Sequence, residues 1–283
     1  SFVVRVTADQ RYRLYVNGLS VSVGPSRSDV SYWRYERVEL APYLVEVTNR
    51  VSATIWNWGD QTPFAQMSFR TGFLLEGEGN AAIDTGDQWQ TQRDLSYSFT
   101  MPVSAEIGGY YVAAPGENFD ANLHDFSWNT AISEGNWVPA AIVPTRVRGS
   151  GTMRGAVPYG TSVEWQLVPS ELAGMEETPE RFAAIRRTSG VAAEPGVLTG
   201  TRDLIIPANT SASILLDRGQ LTNTYPVLLS SGGAGATMQL TYAESLYDAD
   251  DNKGDRNAIE GKSIKGVVDT IAFDGGDQRR FQP

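Results

Sequence analysis

The chain has 283 residues, of which 41% are hydrophobic, and carries a formal net charge of −10 at pH 7. This length suits one large or two ordinary domains. The acidic balance argues against nucleic-acid binding, because a protein that binds a phosphate backbone needs a basic surface. The chain has no cysteine and one histidine, which excludes disulfides, thiolate chemistry and a zinc site built from several histidines. It has no apolar run of the ~18 residues that a membrane helix needs, so we expect no membrane span.

The first element in chain order is a β-hairpin within residues 7–23. Tyr12, Leu14 and Val16 occupy alternate positions, the pattern of a strand with one buried face. Asn17-Gly18 follows, a dipeptide that tolerates positive φ at both central positions of a type I′ turn. Apolar and polar residues alternate again after this turn, and this pattern predicts the second strand of the hairpin.

Short strand candidates continue along the chain, separated by Gly, Pro, Asn and Asp, a pattern typical of β-sandwiches. They cover residues 35–40, 51–58, 67–75, 97–101, 163–168, 213–217, 227–231, 237–243 and 267–273. A helix of one or two turns is predicted after Thr178-Pro179, which suits an N-cap and first helical position. We therefore expect an all-β fold of two jelly-roll-like β-sandwich domains in series. The Gly-rich stretch 148–160 is the expected boundary, which gives domains 1–155 and 156–283.

Four segments, in the order expected, resemble the N-terminal β-sandwich portion of bacterial α-L-rhamnosidases, glycoside hydrolase family 78. They are residues 11–18 (RYRLYVNG), 116–121 (GENFDA), 137–140 (WVPA) and 213–248, in which a strand ends in Tyr-Ala-Glu. Their order and spacing carry the resemblance, which covers nearly the whole chain. It implies a galactose-binding-like sandwich followed by a concanavalin-like sandwich that lacks its last strand.

The resemblance also implies a function. Family 78 enzymes invert configuration and keep both catalytic glutamates in an (α/α)6 barrel that follows the sandwiches. This chain has no sustained helical periodicity, so we expect it to lack the barrel and to be inactive alone. It would be an accessory part of an enzyme that releases terminal α-L-rhamnosyl residues. Its partners would be a rhamnose-containing glycan and the downstream barrel, in an extracellular or periplasmic setting. A free-standing carbohydrate-binding protein and a purely structural β protein are the alternatives.

The segment 108–137 is the best candidate for a ligand site, because long loops are uncommon without a function. Its aromatic side chains, Trp128 among them, could stack on sugar rings, and Glu117, Asp120 and Asn122 could bond hydroxyls or a hard cation. Some first sandwiches of the family resemble a calcium-dependent rhamnose-binding module, so calcium is the cofactor that the resemblance allows. Hydrophobic packing under a long loop is the alternative for the aromatic residues.

Two further features have two interpretations each. Glu244, where the strand 237–243 meets a loop, would face a sugar or form a structural ion pair. Trp56 and Trp58 lie on the strand face opposite the aliphatic residues at 51, 53 and 55. They would form either an outward platform or a contact with a neighbouring domain. The acidic run 248–254 does not have the ligand spacing of an EF-hand, which favours a solvated loop.

Overall fold

The computed structural model describes residues 1–63, 66–100, 114–130, 135–143 and 165–282. Within these residues the chain is almost entirely β-structure in several sheets, and its one α-helix, α1, spans only Pro195–Thr199. The prediction of an all-β fold is confirmed. None of the helices described has the length and apolar character needed to cross a membrane.

Strands follow one another closely along the chain, with short 3-10 turns between some of them. The strands are β1 Val3–Asp9, β2 Arg11–Val16, β3 Leu19–Gly24, β4 Trp33–Glu39, β5 Val51–Trp56, β6 Gly72–Gly77, β7 Gln90–Thr91, β8 Tyr97–Thr100, β9 Gly116–Asp120, β10 Val138–Pro139, β11 Leu167–Pro169, β12 Ala184–Ser189, β13 Ser213–Asp217, β14 Leu228–Ser230, β15 Thr237–Tyr242, β16 Leu246–Tyr247, β17 Ser263–Ile264, β18 Val267–Ala272 and β19 Arg279–Phe281. The 3-10 turns are Val30–Tyr32, Ala41–Tyr43, Gly59–Gln61, Ala81–Ile83 and Ala121–Leu123.

Residue contacts group the described chain into two units. The first contains residues 1–95, 114–115 and 123–175, and the second contains 96–100, 116–122 and 176–282, with the gaps stated above. The second unit is discontinuous in sequence, because β8 and β9 precede part of the first unit. The predicted boundary at 148–160 lies outside the described residues, so the division into 1–155 and 156–283 stays a prediction.

The first unit contains a four-stranded sheet in the order β11-β4-β1-β6, a three-stranded sheet in the order β3-β2-β5, and the pair β10-β7. Val4 and Val6 of β1 and Tyr12, Leu14 and Val16 of β2 are fully buried in one hydrophobic cluster. The core therefore lies between the inner faces of these two sheets. Burying the alternate apolar side chains of each strand is what fixes the register, since a slip of one residue would turn them to solvent.

The predicted hairpin is present, with β2 and β3 joined by a two-residue turn. Val16 pairs with Leu19, and the residues between them, Asn17 and Gly18, have φ angles of 51° and 82°. Both angles are in the positive region that a type I′ turn requires. A Cβ on Gly18 would also lie 2.5 Å from Thr130 Cγ2, so glycine meets a steric as well as a conformational need here.

The second unit is built on a four-stranded sheet in the order β15-β18-β9-β8, with three further two-stranded pairs. Strands β9 and β18 run parallel, and their antiparallel neighbours lie on either side. Phe119, Ile271, Phe273 and Phe281 are buried, and Phe281 contacts Phe119 and Phe273 with ring centroids 5.3 and 5.6 Å apart. These rings form the centre of the unit.

The helix predicted after Thr178 is absent. Residues 171–183 are all exposed, so no packing supports a short helix there, and isolated short helices are unstable in water. The helix α1 forms instead at Pro195, with Pro at its first position and Gly200 at φ 72° after its last residue. Proline pre-sets the helical φ at the start, and glycine accepts the left-handed conformation at the end.

Gly116 is a position where a side chain would not fit. An added Cβ would lie 2.0 Å from the carbonyl oxygen of Val268 on the neighbouring strand. We expect Gly116→Ala to lower the free energy of unfolding of the second unit by about 1–3 kcal/mol, because the two strands must separate to admit the methyl group. The measurement is the urea midpoint by circular dichroism.

The control for this change is Gly174→Ala. A Cβ at this exposed glycine would meet nothing within 4 Å, so we expect a shift within about 0.5 kcal/mol. Equal midpoints for the two variants would contradict the close packing of β9 on β18.

Glu78 lies beside two arginines on the exposed face of the four-stranded sheet. Arg37 donates two hydrogen bonds of 2.7 Å to the two oxygens of Glu78, and Arg5 Nε donates one of 3.1 Å. These bonds, those from Arg37 above all, lower the pKa of the Glu78 carboxyl to about 2.

The lowered pKa predicts an acid dependence of stability. Because the folded-state pKa lies below the ordinary value near 4.5, the stabilisation is complete above that value and is lost as pH falls towards about 2. Glu78→Gln should therefore flatten the fall of the urea midpoint between about pH 5 and 2.5. Glu46→Gln, on the same unit's surface, serves as the control. If the urea midpoints of both variants fall with pH as steeply as that of the wild-type protein, the ion pairs of Glu78 do not cause the acid dependence.

Candidate functional site

Asp120 and Asn122 lie together at the end of β9. The Asp120 carboxylate accepts hydrogen bonds at Oδ1 from the backbone N–H of Asn122, at 3.0 Å, and from its side-chain amide, at 2.8 Å. The Asp120 N–H donates to the carbonyl of Ser96 at 2.8 Å. This local turn ends the strand and fixes both polar side chains in the second unit.

Glu117 lies two positions before the buried Phe119 of β9, next to a buried carboxylate. Its backbone N–H donates to Asp269 Oδ1 at 2.8 Å, and Asp269 is 7% exposed. Burial raises the pKa of the nearby Tyr242 phenol, and the negative charge of Asp269 raises it further. The Tyr242 phenol therefore stays protonated near this carboxylate at physiological pH.

Glu244 is part of an exposed network of ion pairs. It accepts from Lys253 Nζ at 3.2 Å, and this bond raises the pKa of that lysine. The ammonium groups of Lys253 and Lys265 each lie 5.7 Å from the ring centroid of Tyr247, and Lys265 also pairs with Asp251. The structure thus places an ion pair at Glu244.

Trp128 lies in the first unit. Its indole packs edge-on against Tyr15 of β2, with ring centroids 5.4 Å apart and planes at 87°. Tyr15 is half-buried on the face of the hairpin opposite the core residues Leu14 and Val16, so Trp128 covers the outer face of β2. Of the five predicted site residues, Trp128 is in the first unit, and Glu117, Asp120, Asn122 and Glu244 are in the second.

Among the described residues, the acidic side chains do not gather into a group that could hold calcium. In the part of the chain that the structure describes, no three His, Cys, Asp or Glu side chains gather closely enough to hold a metal ion. Calcium takes six to eight oxygen ligands. Asp120 and Asn122 alone fall short of that number, and the Asp120 oxygen nearest to Asn122 is engaged by it.

A buried carboxylate that the sequence analysis missed organises one end of the first unit. Asp9 is 2% exposed, and it accepts five hydrogen bonds from neutral donors. Oδ1 accepts from Asn57 Nδ2 and Ser68 Oγ, and Oδ2 from the backbone N–H groups of residues 69 and 70 and from Trp165 Nε1, at 2.6 to 3.2 Å. Gln10, 0% exposed, accepts from the N–H of Trp58 and donates to Thr62.

The signal for this network was weak in the sequence. Asp9 follows the buried positions of β1, which marks it as a charge beside an apolar run. Its donors, however, come from residues 48 to 156 positions away. No local pattern identifies such partners.

No protein-family model matches the chain, and no curated protein matches it. Three solved structures have a similar fold. The first is a GH78 family rhamnosidase of Bacillus sp. GL1, 25% identical over 69% of this chain and 19% of that chain, with a TM-score of 0.53. The second is Streptomyces avermitilis α-L-rhamnosidase complexed with L-rhamnose. It is 19% identical over 100% of this chain and 24% of that chain, with a TM-score of 0.51. The third is the α-L-rhamnosidase of Aspergillus terreus. It is 13% identical over 100% of this chain and 28% of that chain, with a TM-score of 0.54.

The fold thus resembles part of the α-L-rhamnosidases, which are glycoside hydrolases. This chain spans between 19% and 28% of the length of the proteins it matches. The similarity supports the resemblance carried by the sequence segments, at the level of the fold.

Replacing the buried carboxylate tests how much the first unit depends on it. We expect Asp9→Asn to lower the free energy of unfolding by about 2–4 kcal/mol, because an amide has one acceptor oxygen and leaves some of the five donors unpaired, at roughly 1–3 kcal/mol each. The measurement is urea unfolding followed by tryptophan fluorescence. Asp60→Asn, exposed in the neighbouring loop, should stay within about 0.5 kcal/mol. Similar midpoints for both variants would contradict a structural role for Asp9.

Proposed function

We propose that this chain is a non-catalytic β-sandwich part of an α-L-rhamnosidase, which supports a helical catalytic barrel and contacts a rhamnose-containing glycan. The observation that carries the proposal is the fold similarity to rhamnosidases across 100% of this chain in two of the three cases. Those proteins are several times longer than this chain, which fits an accessory part of such an enzyme.

The described carboxylates support a non-catalytic role. Glycoside hydrolysis needs two carboxyl groups on either side of the scissile bond, one to donate a proton and one to activate water or attack. Asp120 holds a turn with Asn122, and Glu244 forms an ion pair with Lys253. Both have roles in local structure that explain their positions.

Carbohydrate contact remains part of the proposal through the same candidate residues. Glu117, Asp120 and Asn122 lie within six positions of one another on β9 and the turn that follows it, and Trp128 offers a half-buried indole in the first unit. A carboxylate and an amide bond sugar hydroxyls, and an indole packs on the C–H groups of a sugar ring. Because these residues lie in two units, each is tested singly.

The expected result is that the isolated chain does not hydrolyse an aryl α-L-rhamnoside but binds L-rhamnose weakly. A monosaccharide buries little area, so we expect a Kd on the order of 0.1–1 mM, or about 4–5.5 kcal/mol. Release of the aryl chromophore measures turnover, and calorimetry with calcium and then with a chelator measures binding.

Turnover above the buffer blank that disappears in Glu117→Gln or Glu244→Gln would overturn the non-catalytic assignment. Asp120→Ala, which removes a charged acceptor worth roughly 1.5–3 kcal/mol, tests the polar contact, and Trp128→Ala tests stacking. If calorimetry detects no heat of binding for rhamnose or for rhamnosylated oligosaccharides, the chain does not contact the glycan and serves only as a scaffold.

A further inference from the structure

The first unit has an open cavity at the end where β1 and β5 begin, which is the end opposite to Asp9. Its volume is about 350 Å³, and ligand sites in proteins typically measure about 300–1,000 Å³. Two of the eight residues that line it are Asn49 and Asn80, and no charged side chain is among them. The other six are apolar: Phe2, Leu44, Val51, Ala82, Ile83 and Trp89.

The aromatic wall of the cavity is held in place by contacts within the chain. The indole N–H of Trp89 donates to the carbonyl oxygens of Ile83 and Asp84, at 3.2 and 3.1 Å, and its ring packs on Phe73 with centroids 5.9 Å apart. Phe2 and Trp89 both pack against the hydrophobic core, and each keeps part of its surface exposed. A ring held in this way loses little conformational entropy when a ligand packs on it.

The two asparagines fix the loops that form the rest of the wall. Asn49 accepts from the backbone N–H of Val45 and donates to the carbonyl oxygen of the same residue, both at 2.8 Å, which closes the loop that carries Leu44. Asn80 Oδ1 accepts from the N–H of Ala82 at 3.2 Å and caps the 3-10 turn. Asn80 is exposed, and its amide N–H groups have no acceptor among the described residues. They are therefore free to donate to an oxygen of a ligand.

We propose that this cavity binds a neutral small molecule that contains an aromatic ring. The ring would pack against Trp89 and Phe2, and the Asn80 amide would donate to a hydroxyl or carbonyl oxygen on the ring. A charged ligand would bind less tightly, because no lining side chain offers an opposite charge to replace its hydration. The inference does not depend on the proposed function, and none of the five candidate sugar-binding residues lines the cavity.

Calorimetry on the unaltered 283-residue chain tests the ligand class with two probes that share one ring system. We expect 2-naphthol, which is neutral, to bind with a Kd on the order of 0.1–1 mM, because so small a ligand buries little area. The anion 2-naphthoate should bind at least about tenfold more weakly, since the lining residues are all neutral. Absence of 2-naphthol binding, or equal Kd values for the two probes, would overturn the proposal and leave the rhamnose experiment unaffected.

Hydrogen exchange of the same chain locates the site without any substitution. With 2-naphthol at ten times its Kd, we expect slower amide exchange in residues 44–51 and 80–89, and no change with L-rhamnose at an equal concentration. Slower exchange confined to other segments would place the ligand elsewhere and contradict the assignment. If the free chain elutes as a dimer that 2-naphthol does not dissociate, and these segments are already protected in it, the cavity is an interface between two copies and the proposal is wrong.

Two substitutions in one 3-10 turn then test the cavity itself. Ala82 is exposed and lines the cavity, so Ala82→Leu should fill part of it and raise the Kd for 2-naphthol by about tenfold or more. Ala81 is the preceding residue of the same turn, is equally exposed and does not line the cavity. Ala81→Leu is therefore the matched control and should leave the Kd unchanged. Circular dichroism confirms that both variants are folded, and an unchanged Kd in folded Ala82→Leu would overturn the assignment.

Discussion

The arrangement of the first unit depends on one buried negative charge. Removing a carboxylate from water is unfavourable unless hydrogen bonds replace its hydration, and Asp9 receives five of them. Its donors come from the loop after β5, from residues 68–70 and from Trp165. Three segments that are distant in sequence must come together before the Asp9 carboxylate receives all five hydrogen bonds. The buried carboxylate therefore favours the arrangement in which these segments meet. The edge-to-face contact of Phe69 with Trp165 is a consequence of that convergence.

Among the described residues of the second unit, Asp269 is the buried carboxylate, and the other charged side chains are at least partly exposed. Asp269 is buried and accepts from the backbone N–H of Glu117, which ties β9 to β18. The pair of Lys253 with Glu244, by contrast, is exposed, and such pairs stabilise proteins by about 0–1 kcal/mol. The two buried carboxylates therefore define structure far more than the larger number of surface ion pairs.

Local signals predicted the hairpin well, and long-range features could not be predicted. Asn17-Gly18 and the alternation before it depend only on backbone geometry and burial, so the sequence contains all the information needed. Strand β12, in contrast, was missed because its sequence, AIRRTS, has two adjacent arginines where a periodic pattern should show alternation. Among the candidate site residues, sequence reasoning correctly recognised an ion pair as one option for Glu244. It had no means of finding Lys253 as the partner, because a pairing across a loop depends on the folded loop.

The parallel pairing of β9 with β18 has a consequence for biosynthesis. The bond between Glu117 and Asp269 joins residues 152 positions apart. At about 5–20 residues per second, a ribosome needs roughly 8 to 30 seconds to make the intervening chain. Throughout that interval β9 has β8 available but lacks its second neighbour. Phe119 then has Tyr97 of β8 but not Phe281 to cover it, and one edge of β9 is able to accept a strand from another nascent chain. The second unit is thus the part of this protein whose yield should depend most on translation speed and on chaperones that shield unpaired strands.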